Sequence, residues 1–182
     1  MKKLAILFAD GCEEIEGLTV VDLARRAGIG IDSISIKEET EIRGSHGIVF
    51  QADTCMSRAA WEDYDGVILP GGLPGTTNLG ADERVIKLVQ DFAAAGKLVA
   101  AICAAPSVLA KAGILSGKRA TSNPGFADKM GDCDYLTDKV VRDGNIITSR
   151  AMGTAFAFGL AIVAYVRGEE AARGLGEDVL YK

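Results

Sequence analysis

Short apolar segments that end in glycine-rich or polar turns alternate along this chain with amphipathic stretches. Three such segments span residues 3–8, 66–69 and 98–102. A short, continuous apolar run bounded by turn residues is typical of a strand buried on both faces of a parallel sheet. The alternation predicts a doubly wound α/β sandwich around a mostly parallel sheet. Ligands bind such sheets beyond the carboxyl ends of the strands, which here are residues 10–16, 70–75 and 103–106.

Apolar spacing predicts the remaining elements. Helices are expected over 16–27, from an Asp82 cap to Gly96, from Pro106 to about Gly113, and over 154–167. The last of these should turn Phe156, Leu160 and Val163 towards the core. Residues 31–36 are typical of a half-buried strand, residues 42–52 and 140–149 of hairpins, and Asn78-Leu79 of a turn. Because no linker or repeat interrupts the pattern, residues 1–182 are expected to form one domain.

Composition excludes several classes of function. The chain has 182 residues, enough for a sizeable core, and a net charge of −5. Nucleic-acid binding is not expected, because phosphates would be repelled. A membrane span is not expected either, because no apolar run is long enough. The apolar stretch at 4–9 is interrupted by Asp10 and is too short for a signal peptide, so we expect a cytoplasmic protein.

The four cysteines and the single histidine restrict the chemistry further. The wide spacing of Cys12, Cys55, Cys103 and Cys133 favours thiols in a reducing compartment over disulfides. That spacing also offers no tetrahedral zinc site of paired histidines and cysteines. Any catalytic triad or Cys-His dyad must use His46.

Cys103 is the first candidate for a catalytic side chain. It lies between a predicted strand end and a predicted helix start, and four alanines flank it at 100, 101, 104 and 105. Small neighbours suit a tight strand-to-helix turn that projects its central side chain outward, as in a nucleophile elbow. Amides at a helix N-terminus would stabilise a thiolate there. The alternative is a small apolar residue packed among alanines.

Two other strand ends contribute candidate groups. Gly71 and Gly72 would let backbone amides approach a ligand closely. Together with the amide after Cys103, these amides are expected to form an oxyanion hole. The alternative is an ordinary turn at the end of the strand. Near the first helical turn, Glu13 or Glu14 is expected to be solvated. Glu16 would also be solvated unless its loop folds inward over Cys103. Burial would then raise the pKa of Glu16 and let it shuttle a proton.

Four segments resemble, in order along nearly the whole chain, motifs of the ThiJ/PfpI superfamily. They are FADGCEEIE at 8–16, LPGG at 69–72, AAICAAP at 100–106 and TSRAMGT at 148–154. Together they are far more specific than any one alone. Within the superfamily, the chain is most similar to the branch of the Parkinson-disease-associated protein deglycase.

This resemblance implies a flavodoxin-like three-layer sandwich, usually a homodimer. It implies that Cys103 is the elbow nucleophile, that Glu16 is a buried acid hydrogen-bonded to it, and that the amides of Gly72 and Ala104 form the oxyanion hole. Activities in the family include glyoxalase chemistry without glutathione, reported deglycation of methylglyoxal adducts, chaperone-like holding and peroxide sensing by cysteine oxidation.

Two positions depart from the family pattern. Asn123 stands where several branches have a histidine, and because asparagine cannot act as a base, a Cys-His peptidase dyad is disfavoured. His46 stands where the deglycase branch often has an arginine, on the hairpin near the expected dimer contact. His46 and Asn123, together with Gly71, are candidates for substrate binding. His46 could reach the pocket of its own subunit or that of the partner. The alternative for His46 is an ordinary surface residue.

The sequence therefore predicts a glutathione-independent glyoxalase or deglycase-like enzyme that acts on a small aldehyde and needs no metal or cofactor. Methylglyoxal or glyoxal would form a hemithioacetal with Cys103, and Glu16 would move the proton. The alternative is a redox-sensing, stress-responsive chaperone-like protein with an oxidisable Cys103. An intracellular cysteine peptidase would need His46 as its base. An FMN-binding flavodoxin would need a Ser/Thr-rich helix start after Pro70-Gly71-Gly72, which is not expected.

Overall fold

The computed structural model describes residues 2–181, in which strands and helices alternate. The strands are β1 (Lys3–Phe8), β2 (Gly30–Ser35), β3 (Glu41–Arg43), β4 (Val49–Gln51), β5 (Thr54–Cys55), β6 (Gly66–Leu69), β7 (Leu98–Ile102), β8 (Arg119–Ala120), β9 (Asp134–Tyr135), β10 (Val140–Asp143) and β11 (Ile146–Ser149). The α-helices are α1 (Glu14–Arg26), α2 (Gly75–Ala81), α3 (Glu83–Ala94), α4 (Pro106–Lys111), α5 (Ala155–Arg167) and α6 (Glu169–Asp178). Short 3₁₀ turns join several of them.

A seven-stranded sheet with the order β10-β11-β7-β6-β1-β2-β5 forms the centre of the molecule. All of its neighbouring strands are parallel except β10 and β11, which form an antiparallel hairpin. The chain builds outward from β1 to β2, and then from β6 to β7 on the other side of β1. The strand order therefore reverses between β1 and β6, which is where such sheets bind ligands.

The two faces of the sheet are covered by different helices. From β1, Leu4, Ile6 and Phe8 join a buried cluster with α1, α5 and α6. Ala5 and Leu7 point the other way, into a cluster with α2, α3 and α4. The predicted α/β sandwich with a mostly parallel sheet is confirmed. Within residues 2–181, no helix combines the length and apolar character needed to cross a membrane.

Three details differ from the sequence-based expectation. Asn78 and Leu79 lie inside α2 rather than in a turn, because Leu79 is buried and the helix packs on the sheet. Phe156 is 40% exposed, because α5 turns Phe158 and Ile162 inward together with the expected Val163. Helix α6 was not expected at all.

Candidate active site

Cys103 lies at the sharp turn between β7 and α4. Its φ of 65° is in the left-handed region, which is unfavourable for a residue with a side chain. The neighbouring elements hold the turn through its backbone, because the Cys103 N–H donates to the Ser149 carbonyl at 3.1 Å and its carbonyl accepts from the Asn123 N–H at 2.8 Å. Pro106 opens the helix that follows. The Cys103 side chain is half-buried at this position, so it is not simply a core residue.

Glu16 brings a carboxyl group to the same place from the first turn of α1. The residue is only 1% exposed, and its Oε2 accepts the Gly71 N–H at 3.0 Å. Its carboxyl also hydrogen-bonds the Cys103 thiol. Burial raises the pKa of Glu16 to about 7; the negative charge of Glu13 acts in the same direction, and the bonds to Cys103 and Gly71 act against it. The loop that carries Glu16 therefore does fold inward over Cys103.

Two backbone amides point at the sulfur of Cys103. They belong to Gly72 and Ala104, the residues proposed from the resemblance as the oxyanion hole. Gly72 has a φ of 89°, and a Cβ there would collide with the backbone nitrogen of Glu13. Only glycine fits a backbone that approaches the first loop this closely.

The ionisation of Cys103 differs from the expectation of a thiolate. Burial and the adjacent Glu16 charge raise the pKa of the thiol to about 12, against the lowering effect of the Ala104 and Gly72 amides. Burial outweighs two amide dipoles here, and the carboxylate repels a second negative charge. The pair therefore holds its shared proton on sulfur when Glu16 is ionised.

The backbone of Gly71 packs tightly between the side chains of Glu16 and Cys103. A Cβ on it would lie 2.5 Å from Glu16 Oε2 and 2.6 Å from the Cys103 Cβ. Gly71 thus packs against both Glu16 and Cys103, whereas binding of substrate to it stays a prediction.

The other two acidic residues of the first loop differ from each other. Glu13 caps α1, accepting the Glu16 N–H on its Oε2 at 2.7 Å. Glu14 is only 1% exposed, so the expected solvation is wrong for this residue. Its Oε1 accepts the His46 N–H at 2.9 Å. The loop between β3 and β4 covers it, because Gly44 leaves the space that the Glu14 side chain fills.

His46 and Asn123 make contacts of a structural kind. The His46 side chain is 70% exposed, and its Nδ1 lies 3.1 Å from Glu14 Oε2 and 3.1 Å from Ser45 Oγ. Asn123 supports the elbow through its N–H, while its Oδ1 accepts the Gly125 N–H at 3.0 Å. The roles of His46 and Asn123 in substrate binding stay predictions.

Neither a metal nor a phosphate group is assigned to this region. Ligand atoms of Glu13, Glu14 and His46 lie within 4.8 Å of one another, but Glu14 already accepts from His46 and Glu13 from Glu16. Helix α2 does begin three residues after Gly72, with two threonines, contrary to the expectation. Its first amides are used by the backbone, since the Gly75 N–H donates to the Gly11 carbonyl at 3.0 Å and the Thr76 N–H to the Gly72 carbonyl at 2.8 Å.

Sequence reasoning did not find the capping role of Glu13 or a polar setting for Cys55. Glutamate is not among the usual N-cap residues, so the first loop gave no capping signal. Cys55 is buried, and a hydrogen bond with Ser57 and another from Arg58 lower the pKa of its thiol. The short spacing of the cysteine to both residues was the available signal.

The chain is similar to known proteins both in sequence and in structure. Residues 2–165 match the DJ-1/PfpI family. The chain is 38% identical over 181 residues to Protein dj-1beta of Drosophila melanogaster, covering 98% of this chain and 97% of that protein. The crystal structure of Drosophila DJ-1beta matches all of both chains with a TM-score of 0.95.

Two further proteins extend the comparison. A Pyrococcus abyssi protein named as a deglycase is 32% identical over 159 residues, covering 86% of this chain and 94% of its own. The structure of Toxoplasma gondii DJ-1, in a form described as oxidized, has a TM-score of 0.95 and 31% identity, covering 100% of this chain and 99% of its own. These neighbours confirm the flavodoxin-like fold and the resemblance drawn from the four motifs. The chain belongs to the DJ-1/PfpI family.

Proposed function

We propose that this chain is a cysteine-dependent glyoxalase that converts methylglyoxal or glyoxal to the 2-hydroxy acid without glutathione. One arrangement carries the proposal: the buried Glu16 carboxyl hydrogen-bonds the half-exposed Cys103 thiol, whose sulfur also meets the amides of Gly72 and Ala104. An activated nucleophile, a base and oxyanion donors are the parts that addition to an aldehyde requires. The name of the Pyrococcus relative supports an enzyme of this kind.

The first step is addition of the thiol to the aldehyde. As the sulfur of Cys103 bonds to the aldehyde carbon, its proton passes to the Glu16 carboxylate. The electron pair of the carbonyl double bond moves to oxygen, where the Gly72 and Ala104 amides stabilise the negative charge. Glu16 then returns the proton to that oxygen, which completes a hemithioacetal.

The second step moves hydrogen between the two adjacent carbons. Glu16 removes the proton from the carbon bonded to sulfur, giving an enediol, and a proton is returned to the neighbouring carbon. The first carbon is oxidised to a thioester while the second is reduced to an alcohol, so no external oxidant is needed. Water then cleaves the thioester and releases lactate or glycolate with the free Cys103 thiol, and the net reaction adds one water.

The test is lactate formation from methylglyoxal in buffer without glutathione. We expect activity from the unaltered protein and a loss of about 100-fold or more in kcat/KM for Cys103→Ser and for Glu16→Gln. Cys133→Ser removes the other half-exposed thiol and should keep full activity. Undiminished lactate formation by Cys103→Ser would exclude this mechanism.

Hydrolysis of glycated adducts is a separate question, because early adducts release free aldehyde spontaneously. A deglycase must consume the adduct faster than that dissociation. Stopped-flow measurement of a preformed methylglyoxal adduct of N-acetylarginine tests this directly. If adduct loss never exceeds the spontaneous rate, the enzyme acts only on the free aldehyde.

A redox sensor is the second candidate, and the hydrogen bond between Glu16 and Cys103 favours it. When protonated, Glu16 can donate to an oxygen of a sulfinic acid on that sulfur. A sensor with a chaperone-like role should oxidise selectively at Cys103 under mild peroxide and change its partner binding. Peptide mapping by mass spectrometry measures the extent of oxidation at each cysteine. Equal oxidation of Cys133 and Cys103 would contradict a dedicated sensor. A peptidase gains no support, since the hydrogen bonds of His46 go to Ser45 and Glu14.

A further inference from the structure

Glu13 takes no part in the proposed chemistry, yet it closes a ring of hydrogen bonds around the base. The Glu13 N–H donates to the Gly71 carbonyl at 2.8 Å. Glu13 Oε2 accepts the Glu16 N–H at 2.7 Å, and Glu16 Oε2 accepts the Gly71 N–H at 3.0 Å. Glu13 therefore holds the backbone of Glu16, while the Gly71 amide in the opposite loop holds its carboxyl group.

The charge of Glu13 is poorly screened where it sits. Its side chain is 12% exposed, and within residues 2–181 its one ion-pair partner is His46, whose Nδ1 lies 4.0 Å from Oε1. No Lys or Arg of the described residues lies within ion-pair distance of Glu13. A negative charge that is largely buried and lacks a permanent counter-charge acts strongly on a carboxyl group in the same turn.

We propose that Glu13 is a positioning residue for Glu16, fixing its orientation and favouring the proton-holding form of its carboxyl group. The inference rests on the proposed role of Glu16 as the proton carrier of Cys103. Burial is the main cause of the raised pKa of Glu16, and the Glu13 charge adds to it. Without the Glu13 side chain, Glu16 would lose the acceptor of its N–H and would hold a proton less readily.

Few titratable groups face Glu16. From the turn after β7 comes the Cys103 thiol, and from the residue before α1 comes Glu13. The loop after β6 contributes the uncharged Gly71 amide. Glu14, although adjacent in sequence, directs its carboxylate to the turn between β3 and β4. A change at Glu13 should therefore act on Glu16 in a way that the same change at Glu14 does not.

Three variants separate the orientation from the charge. Glu13→Gln keeps an oxygen that can accept the Glu16 N–H but removes the charge. Glu13→Ala removes both. His46→Arg keeps Glu13 and places a permanent positive charge beside it. Glu14→Gln serves as the control that removes one negative charge from the same turn.

Two readouts are measured against pH for each variant. The first is the rate of Cys103 alkylation by iodoacetamide, which reports the first proton lost by the Cys103–Glu16 pair and does not depend on any enzymatic reaction. The second is kcat/KM for lactate formation. Both should rise through a midpoint near the Glu16 pKa of about 7 in the unaltered protein, because Glu16 must be ionised to accept the thiol proton.

We expect Glu13→Gln and His46→Arg to lower both midpoints by about half a pH unit or more, as removal or neutralisation of a nearby like charge requires. Glu14→Gln should leave the midpoints where they are. Glu13→Ala should show the same shift and, in addition, a lower plateau rate that Glu13→Gln restores. An unchanged alkylation midpoint in Glu13→Gln would overturn the proposal.

Failure of the proposed function is distinguishable from failure of this inference. If the unaltered protein forms no lactate but its alkylation midpoint still moves in Glu13→Gln, the glyoxalase proposal falls and the Glu13 inference stands. If the unaltered protein forms lactate but neither midpoint moves in Glu13→Gln, the glyoxalase proposal stands and the Glu13 inference falls.

Discussion

At the scale of single residues, the raised pKa of Glu16 opposes folding. Its pKa is about 7 in the folded chain against an ordinary 4.5, so the folded protein binds the proton more tightly than the unfolded chain does. Below pH 4.5 Glu16 is protonated in both states and costs nothing; its destabilising effect builds between pH 4.5 and about 7 and is complete above that. Burial of this carboxyl group is therefore unfavourable for the stability of the fold at neutral pH.

Glu16→Gln should therefore stabilise the protein while it abolishes activity. At pH 8 we expect the free energy of unfolding to rise by up to about 3 kcal/mol, and the gain should vanish near pH 4. Urea unfolding at the two pH values measures it. Glu62→Gln, at an exposed position, is the control and should change little at either pH. A Glu16→Gln protein that is less stable at pH 8 than the unaltered one would contradict this account.

Gly71→Ala should disrupt the site more than the fold around it. The added Cβ would contact Glu16 Oε2 at 2.5 Å and Cys103 Cβ at 2.6 Å, so the two reacting groups must separate. We expect kcat/KM and the alkylation rate of Cys103 to fall by about tenfold or more, since small displacements of reacting groups are costly. Gly80→Ala is the matched control, because its Cβ would meet Val108 at an ordinary 3.5 Å. Equal activity of the two variants would argue against tight packing at Gly71.

The candidate residues at strand ends were predictable from the strand pattern, whereas Glu16 was singled out as the buried acid by the family resemblance. Cys103 and Gly72 follow apolar strands, and strand ends in an α/β sheet converge at one edge. Glu14 and Glu16 occupy one helical turn, and both prove to be buried. Which of them meets Cys103 depends on where the β3–β4 hairpin and the Gly71 loop pack, and neither position is encoded near the first loop.

At the scale of elements, Glu14 fastens the β3–β4 hairpin to α1. Its carboxylate accepts the N–H groups of His46 and Ile48; burial raises its pKa, but these bonds and its own N–H outweigh burial and lower it. A lowered pKa stabilises the fold above the ordinary value, and the contribution is lost as the pH falls through the folded value.

Glu14→Ala should loosen this hairpin. Two backbone amides would lose the buried carboxylate that accepts them, and a hydrogen bond to a charged group contributes about 1.5–3 kcal/mol. We expect faster hydrogen exchange at His46 and Ile48, with little change in the strands of the central sheet. Glu41→Ala removes an exposed carboxylate from the same hairpin and should leave exchange unaltered. Unchanged protection of both amides in Glu14→Ala would show that other contacts hold the hairpin.

The elements that were foreseen share strong local signals. Strands β6 and β7 begin and end as expected, and the Asp82 carboxylate accepts the Arg84 N–H at the start of α3. Helices α2 and α6 each contain two glycines and give little local signal, as their sequences GTTNLGA and EEAARGLGED show. Tertiary packing forms these two helices: Leu79 and Leu175 are buried in opposite layers.

At the scale of the whole molecule, several large apolar side chains lie in water on neighbouring elements. They are Ile15, Ile48, Val49, Met152 and Phe156. These residues come from the start of α1, the tip of the β3–β4 hairpin and the start of α5, and α1 packs on α5. Exposed apolar clusters of this kind mark association surfaces. We propose that they are buried in the homodimer that the family resemblance implies.

Sedimentation equilibrium tests that association. We expect a dimer at micromolar concentration and a monomer for the double variant Ile48→Asp with Val49→Asp, because two charges would be buried at the interface. Leu180→Asp is the control: Leu180 is 83% exposed near the other end of the chain and should leave the dimer intact. A monomer for the unaltered protein, or a dimer for the double variant, would refute the assignment.

The hydrogen-bonded ring of Glu13, Glu16 and Gly71 joins residues that are 55 positions apart and that follow two different strands. The ring needs both loops, and Cys103 follows a third strand later in the chain. During synthesis, the thiol therefore emerges as an ordinary cysteine, without its acid and without its amide donors. Cys103 gains the carboxyl group and the two amides of the candidate site only when the middle of the sheet is complete, so the proposed chemistry is out of reach of a half-made chain.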